Sequence, residues 1–180
     1  MKKPKSIEVC IPVFNEELCI EKTIRSLYHW WNSSKIFDQN IKFSIHCVDN
    51  NSSDSTVPIL LKLKKDFPNI RITVFKNNYG FACSTSYLLY SSDSDISILI
   101  PSDGQIPFQS VEKALNKTIL NTSSTLLARS SSYREMSFTK IFKKILYKAL
   151  SRLNSTSVSG YFGMGVYTKE DLAPIKTKLF

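Results

Sequence analysis

The chain has 180 residues, 42% hydrophobic and 22% charged, so a single compact domain with a sizeable core is expected and a second is not. Its formal net charge of +9 points to a phosphate-bearing partner, whether a nucleotide, an anionic lipid surface or nucleic acid. No apolar run approaches the ~20 residues that span a bilayer, and Met1-Lys2-Lys3-Pro4-Lys5 leads into a strand-like segment rather than a signal peptide, so a soluble or membrane-peripheral chain is expected.

In chain order, residues 7–13 read as a short apolar strand. Residues 16–31 follow as a helix, with Leu18, Ile20, Ile24, Leu27, Tyr28 and Trp31 at near-helical spacing. Residues 41–48 alternate as a second strand, and 55–67 form a second helix ended by Pro68. A third strand (70–75), a helix (81–90) and a fully apolar fourth strand (96–100) come next. Strands separated by helices imply a doubly wound α/β fold, a mostly parallel sheet flanked by helices. Past Gly104 the rhythm weakens: a helix over 107–119, a short strand over 125–128, a long amphipathic helix over 136–153 and a last strand over 161–167 are expected.

Three polar clusters stand where apolar runs end: Pro12-Val13-Phe14-Asn15-Glu16, Asp49-Asn50-Asn51-Ser52-Ser53-Asp54 and Pro101-Ser102-Asp103-Gly104-Gln105. In such a fold the carboxyl ends of parallel strands converge on one crevice, so three loops become one site. Taken singly, the first cluster also reads as an ordinary helix start and the second as a turn leading to an N-cap. A glycan on Asn51, in an N-x-S sequon, would fill the crevice, which favours the cytoplasm. Cys10, Cys19, Cys47 and Cys83 show no CxxC pair and read as buried free thiols. His29 and His46 fall in a helix and a strand and read as structural.

The segments Val-Cys-Ile-Pro-Val-Phe-Asn-Glu-Glu (9–17), Val-Asp-Asn-Asn-Ser-Ser-Asp-Ser-Thr (48–56), Asn-Tyr-Gly-Phe-Ala (78–82) and Ser-Asp-Gly-Gln-Ile-Pro (102–107) occur in that order. Together they resemble the motifs of family 2 glycosyltransferases, in the branch of the dolichyl- and polyprenyl-phosphate sugar synthases. The resemblance covers about residues 6–170 and implies a GT-A fold, an inverting transfer from a UDP- or GDP-linked sugar, and Mg²⁺ or Mn²⁺. It implies that Pro12, Phe14 and Glu16 line the nucleoside pocket, with Phe14 where the family usually has tyrosine. Asp49 and Asn50 would contact base or ribose, Asn50 standing where a second aspartate is common. Gly80 would let its loop pass close to the donor, although a plain turn glycine explains it equally well. Residues 6–106 would form the nucleotide-sugar half of one domain spanning 1–180, and 107–180 the acceptor half.

Loss of a nucleoside diphosphate requires charge neutralisation, which a divalent ion on one or two carboxylates supplies. The family's Asp-x-Asp motif has Pro101 at its first aspartate here, leaving Asp103, the candidate catalytic residue, and Gln105 as ligands, with Ser102 beside the donor. A degenerate site, with Asp103 as a turn residue, is the alternative. In the polyprenyl-phosphate branch an arginine-bearing segment at the place of Arg129 and Arg134 is associated with the acceptor phosphate, which suits guanidinium forks; two solvated loop arginines are the plain reading. The helix over 136–153 carries an apolar stripe and five cations within 140–152, fitting a membrane interface or, equally, an ordinary core helix.

The leading expectation is sugar transfer to polyprenyl phosphate at the cytoplasmic membrane face. Transfer to a saccharide hydroxyl, or a degenerate nucleotide- or lipid-binding domain, are the alternatives. Nucleic acid is not expected, because the cations concentrate on an apolar-faced helix and no recognition module is present. Members of that branch usually continue further, often into transmembrane helices, so the chain reads as a catalytic domain or a naturally short form.

Overall fold

A computed structural model describes residues 4–34, 40–127 and 163–176. The segment SIEVCIPV forms β1 (Ser6–Val13), buried at every residue but its first. A strand buried on both faces belongs in the middle of a sheet covered on both sides. There follow α1 (Ile20–Ser33), β2 (Lys42–Asp49), α2 (Thr56–Asp66), β3 (Ile70–Val74), α3 (Phe81–Ser91), β4 (Ile96–Leu99), α4 (Phe108–Asn121), β5 (Thr125–Leu126), β6 (Gly165–Thr168) and α5 (Lys169–Lys176). The sheet order is β3-β2-β1-β4-β6-β5. β1 to β4 are mutually parallel, and β6 runs antiparallel to both β4 and β5. The described residues therefore form the expected α/β architecture, a mostly parallel sheet between helices.

Side chains alternate across the sheet with the period of two that strands impose. Ile7, Val9, Ile11 and Val13 point to one side, into a cluster with Leu27 of α1, Leu60 of α2 and Leu115 of α4. Cys10, Val48 and Leu99 point to the other, against Leu88 and Leu89 of α3 and Leu172 of α5. Each such buried aliphatic side chain contributes on the order of 1.5–3 kcal/mol. In α1 the buried residues are Ile20, Thr23, Ile24, Leu27 and Trp30, the three- and four-residue spacing of a single helical stripe.

Two expected boundaries shift for physical reasons. The first helix starts at Ile20 rather than at residue 16, because Glu16 O accepts from Cys19 N at 3.0 Å as well as from Ile20 N at 2.9 Å, a tight turn that precedes the regular helix, while the N–H groups of Glu16 and Glu17 donate to Thr56 Oγ1 and Asp54 Oδ2 at 2.8 and 3.2 Å. Leu18, assigned to the apolar stripe from sequence, lies in that turn and is 92% exposed. The last strand occupies Gly165–Thr168 and pairs antiparallel, and residues 161 and 162 lie outside the described residues, as does position 128 of the expected fifth strand. Burial of all four thiols does not hold either: Cys10 and Cys47 are buried, but Cys83 is exposed and Cys19 intermediate. His46 is enclosed in β2 beside Thr73 Oγ1 at 2.9 Å, while His29 sits on the exposed side of α1. Among the described residues no helix is long and apolar enough to cross a membrane.

Candidate functional site

Strands are added outward from β1 to β3, after which the chain returns to lay β4 on the other side of β1. Where the order reverses, the loops leaving β1 and β4 part, and a crevice opens at the carboxyl ends of the strands. A cavity of about 540 Å³ lies there, within the range of sites for small organic ligands. Pro12, Val13, Phe14 and Glu16 reach it from the end of β1, and Asn50 from the end of β2. Pro101, Ser102, Asp103 and Gln105 reach it from beyond β4. All three polar clusters thus meet on one cavity.

The first two loops are zipped together by polar side chains that satisfy backbone donors. Asn15, at φ 53°, donates its N–H to Ser52 Oγ at 2.8 Å, and its own Oδ1 accepts from Ser53 N at 2.9 Å. Glu17 Oε2 accepts from Ser55 N at 2.9 Å, and Asp54 Oδ1 accepts from Thr56 N and Oγ1 at 3.0 and 2.5 Å. Burial works against the charge on Asp54, but these hydrogen bonds outweigh it and hold its carboxyl below the usual range. Asp and Asn suit such turns because their short side chains bond the nearby backbone.

Asp49 is fully buried, and its two oxygens accept from Ser52 N at 2.9 Å and Ser52 Oγ at 2.5 Å. It shapes the second loop from beneath, and Asn50 beside it stands on the cavity wall. Gly80 does line the cavity, with φ 85° and ψ 163°. A Cβ there would meet nothing within 4 Å, so the position demands glycine for its backbone conformation and not for closeness to a neighbour. Ser102 is buried, and its carbonyl accepts from Thr23 Oγ1 at 2.7 Å, which ties the third loop to α1. Asp103 Oδ1 accepts from Gln105 N at 3.0 Å around Gly104, at φ 69°.

Asn78, Phe81, Ile106, Leu127 and Met164 also line the cavity and were not singled out from sequence. Asn78 and Phe81 flank Gly80 within the motif at 78–82, so the signal was present. Leu127 and Met164 are joined by a bond from Leu127 N to Met164 O at 2.8 Å, a pairing that no local pattern announces. Arg129, Arg134 and the helix at 136–153 lie outside the described residues.

Among the described residues no group of three or more His, Cys, Asp or Glu side chains comes together. The third loop offers the cavity one carboxylate from Asp103 and one amide oxygen from Gln105, with Pro101 in place of a second carboxylate, and Glu16 brings another carboxylate from the end of β1. That donor set fits an ion such as Mg²⁺ or Mn²⁺, which takes one or two protein carboxylates and completes its shell with phosphate oxygens and water.

A mostly parallel sheet with helices on both faces and a ligand-sized cavity at its switch point define an α/β domain of the GT-A class. The sequence model described as glycosyl transferase family 2 matches residues 8–168. This chain belongs to that family. It is 20% identical over 143 residues to the dolichyl-phosphate beta-glucosyltransferase ALG5A of Trichomonas vaginalis, covering 78% of this chain and 44% of that protein. The fold is similar to the mannosyltransferase PcManGT from Pyrobaculum calidifontis in complex with GDP-Man and Mn²⁺, with a TM-score of 0.61 and 17% identity over 97% of this chain and 47% of that one. It is also similar to glucosyl-3-phosphoglycerate synthase from Mycobacterium tuberculosis in complex with UDP, with a TM-score of 0.58 and 19% identity over 92% of this chain and 57% of that one. The chain therefore spans about half the length of these proteins.

Proposed function

We propose that this chain transfers a sugar from a nucleoside diphosphate donor to a polyprenyl phosphate, with inversion at the anomeric carbon. The observation that carries the reading is the convergence of the four motif segments on one cavity at the switch point of the sheet. Pro12, Phe14, Glu16 and Asn50 would bound the nucleoside side, Asp49 would keep the second loop in shape, and Gly80 and Ser102 would border the diphosphate. The nucleotides named in the similar structures, GDP-Man and UDP, support a nucleotide sugar without choosing between uracil and guanine. The dolichyl-phosphate relative supports a lipid phosphate acceptor.

Asp103 and Gln105 would hold a divalent ion, whose chemistry is to neutralise the departing diphosphate. Residues 6–106 would serve the donor and 107–180 the acceptor. Arg129 follows Leu127, a cavity-lining residue, by two positions, which supports Arg129 and Arg134 as anchors for the acceptor phosphate. A phosphate acceptor is already anionic near neutral pH and needs less help from a general base than a hydroxyl does. The basic, apolar-striped segment 136–153 would place the site at the cytoplasmic membrane face, peripheral to the bilayer.

Pro101 favours a second reading, a domain that binds nucleotide without turnover. The two are separated by incubating the chain with radiolabelled UDP- and GDP-sugars, Mn²⁺ and polyprenyl phosphate. Labelled lipid that disappears with Asp103→Ala supports transfer. Nucleotide binding with no product from lipid or saccharide acceptors supports the second reading.

A further inference from the structure

A side-chain amide has one acceptor oxygen and two N–H donors, so its orientation is fixed once its partners are known. Asn50 is only 5% exposed. Its Oδ1 accepts from Tyr79 N at 2.9 Å, and its Nδ2 donates to Asn78 Oδ1 at 2.8 Å. Asn78 Oδ1 also accepts from Gly80 N at 2.9 Å. The N–H groups of Tyr79 and Gly80 can only donate, so both atoms facing them are oxygens. It follows that Asn50 must present its NH₂ to Asn78. Through this clasp the end of β2 holds the loop that carries Asn78, Gly80 and Phe81 onto the cavity wall.

Aspartate at position 50 would still accept from Tyr79 N, but its second oxygen would face Asn78 Oδ1. Asn78 offers no relief by turning over, because its NH₂ would then face the Gly80 N–H. Aspartate at position 78, in contrast, would accept from both Asn50 Nδ2 and Gly80 N. The clasp therefore tolerates a carboxylate on one side only.

We propose that Asn50 and Asn78 are positioning residues for the donor, and that position 50 must supply a hydrogen-bond donor to hold the loop over residues 78–81 in its binding conformation. This rests on the donor-site reading above. Asn50 thus departs from the acidic residue common at its position for a reason written in the third motif: its partner is an amide oxygen.

The test measures binding of UDP and GDP, with Mn²⁺ in the buffer, to the whole chain and to Asn50→Asp and Asn78→Asp by calorimetry. Melting curves without nucleotide check that each variant is folded. Both variants add one negative charge at neighbouring points, so repulsion of the nucleotide is shared and the difference between them reads the clasp. At about pH 8, Asn50→Asp should bind roughly tenfold more weakly than Asn78→Asp, the scale of one lost hydrogen bond and an unsatisfied neighbour.

As the pH falls toward about 5, the carboxyl introduced by Asn50→Asp, its affinity for protons raised by burial and the facing oxygen, takes up a proton and donates to Asn78. The gap between the variants should then close. Asp49, Glu16 and Asp103, the other carboxyl groups around this cavity, are common to both variants. Equal affinities for the two variants at both pH values overturn the clasp while leaving the donor site standing. Absence of UDP and GDP binding by the unaltered chain overturns the donor-site reading and the clasp with it. If Asn50→Asp does not fold, Asn50→Gln replaces it: it keeps the amide donor and should bind more tightly than Asn50→Met, which has the same length and no donor, and equal binding by these two overturns the proposal.

Discussion

Replacing Gly80 by alanine separates backbone conformation from packing. Gly80 precedes α3 with φ 85° and ψ 163°, a region open in practice only to glycine, and holding another residue there costs on the order of 1–3 kcal/mol. The added methyl would meet no atom within 4 Å, so no overpacking contributes. A glycine-to-alanine change also restricts the unfolded chain, which would stabilise by ~0.4–1 kcal/mol if the backbone were compatible, so the sign of the result is itself informative. For a chain of this size 1 kcal/mol corresponds to ~2–4 °C, and the strain predicts a fall in melting temperature of roughly 2–12 °C if the loop keeps its shape. If the loop relaxes instead, Gly80 N leaves Asn78 Oδ1, the melting temperature falls less, and UDP or GDP affinity drops. Thermal unfolding and nucleotide titration of the same sample measure both branches. A variant that melts at or above the wild-type temperature with unchanged nucleotide affinity refutes the reasoning.

The opposite glycine effect is expected at Gly165, where a Cβ would stand 2.9 Å from Thr125 O and 3.2 Å from Leu126 Cα: Gly165→Ala should lower stability by about 1–3 kcal/mol through overpacking, read by chemical denaturation. With one carboxylate on the third loop, Mn²⁺ should bind measurably only when UDP or GDP is present, and Pro101→Asp should confer Mn²⁺ binding without nucleotide, both read by calorimetry. His46 is fully enclosed, and burial, reinforced by the Arg71 charge, pushes its pKa down to about 3. The unfolded chain therefore binds a proton below ~6.5 that the folded chain refuses, and stability should fall by up to about 1.4 kcal/mol per pH unit as the solution is acidified from there toward the folded value. His46→Gln should flatten that slope between about pH 6 and about pH 4, as measured by denaturation midpoints.

The central sheet was legible because burial on two faces leaves an unmistakable mark: β1 and β4 are apolar along nearly their whole length, and each is followed by a polar loop that has to leave the core. The meeting of those loops followed from topology alone, since parallel strands place all their carboxyl ends on one side. What sequence missed lies in long-range pairings, of side-chain oxygens with backbone donors and, for Leu127 and Met164, of backbone with backbone. Glu16 and Glu17 look like the first turn of a helix, but the chain makes a tight turn on Glu16 O before α1 begins, and that turn is tied by its N–H groups to Thr56 and Asp54, some forty residues on. Nothing in the sequence shows that Ser52 bonds both oxygens of Asp49 and so fixes the second loop. Long-range pairings of this kind have no local periodicity to betray them.

The two sides of the cavity, the one proposed for the nucleoside and the one proposed for the ion, are held in different ways. Every loop on the first side, where the β1, β2 and 78–82 loops meet, is held by a bond from a different segment: Asn15 by Ser52, Asn50 by Tyr79, Asn78 by Asn50. These cross-links hold the wall in shape without a ligand, which would lower the ordering cost of binding. Asp103, in contrast, is anchored locally, by Gln105 N two residues away, and the loop that carries it is tied to the helices through the Ser102 carbonyl and Thr23. Thr23→Val would leave that carbonyl unsatisfied and free the loop at its base, and Asp103 would lose its alignment with the cavity although neither residue was changed at the site. If the proposed roles hold, a cross-linked donor wall facing a locally anchored carboxylate is the arrangement in which the nucleotide, once seated, would organise the ion, rather than the ion preparing the site for the nucleotide.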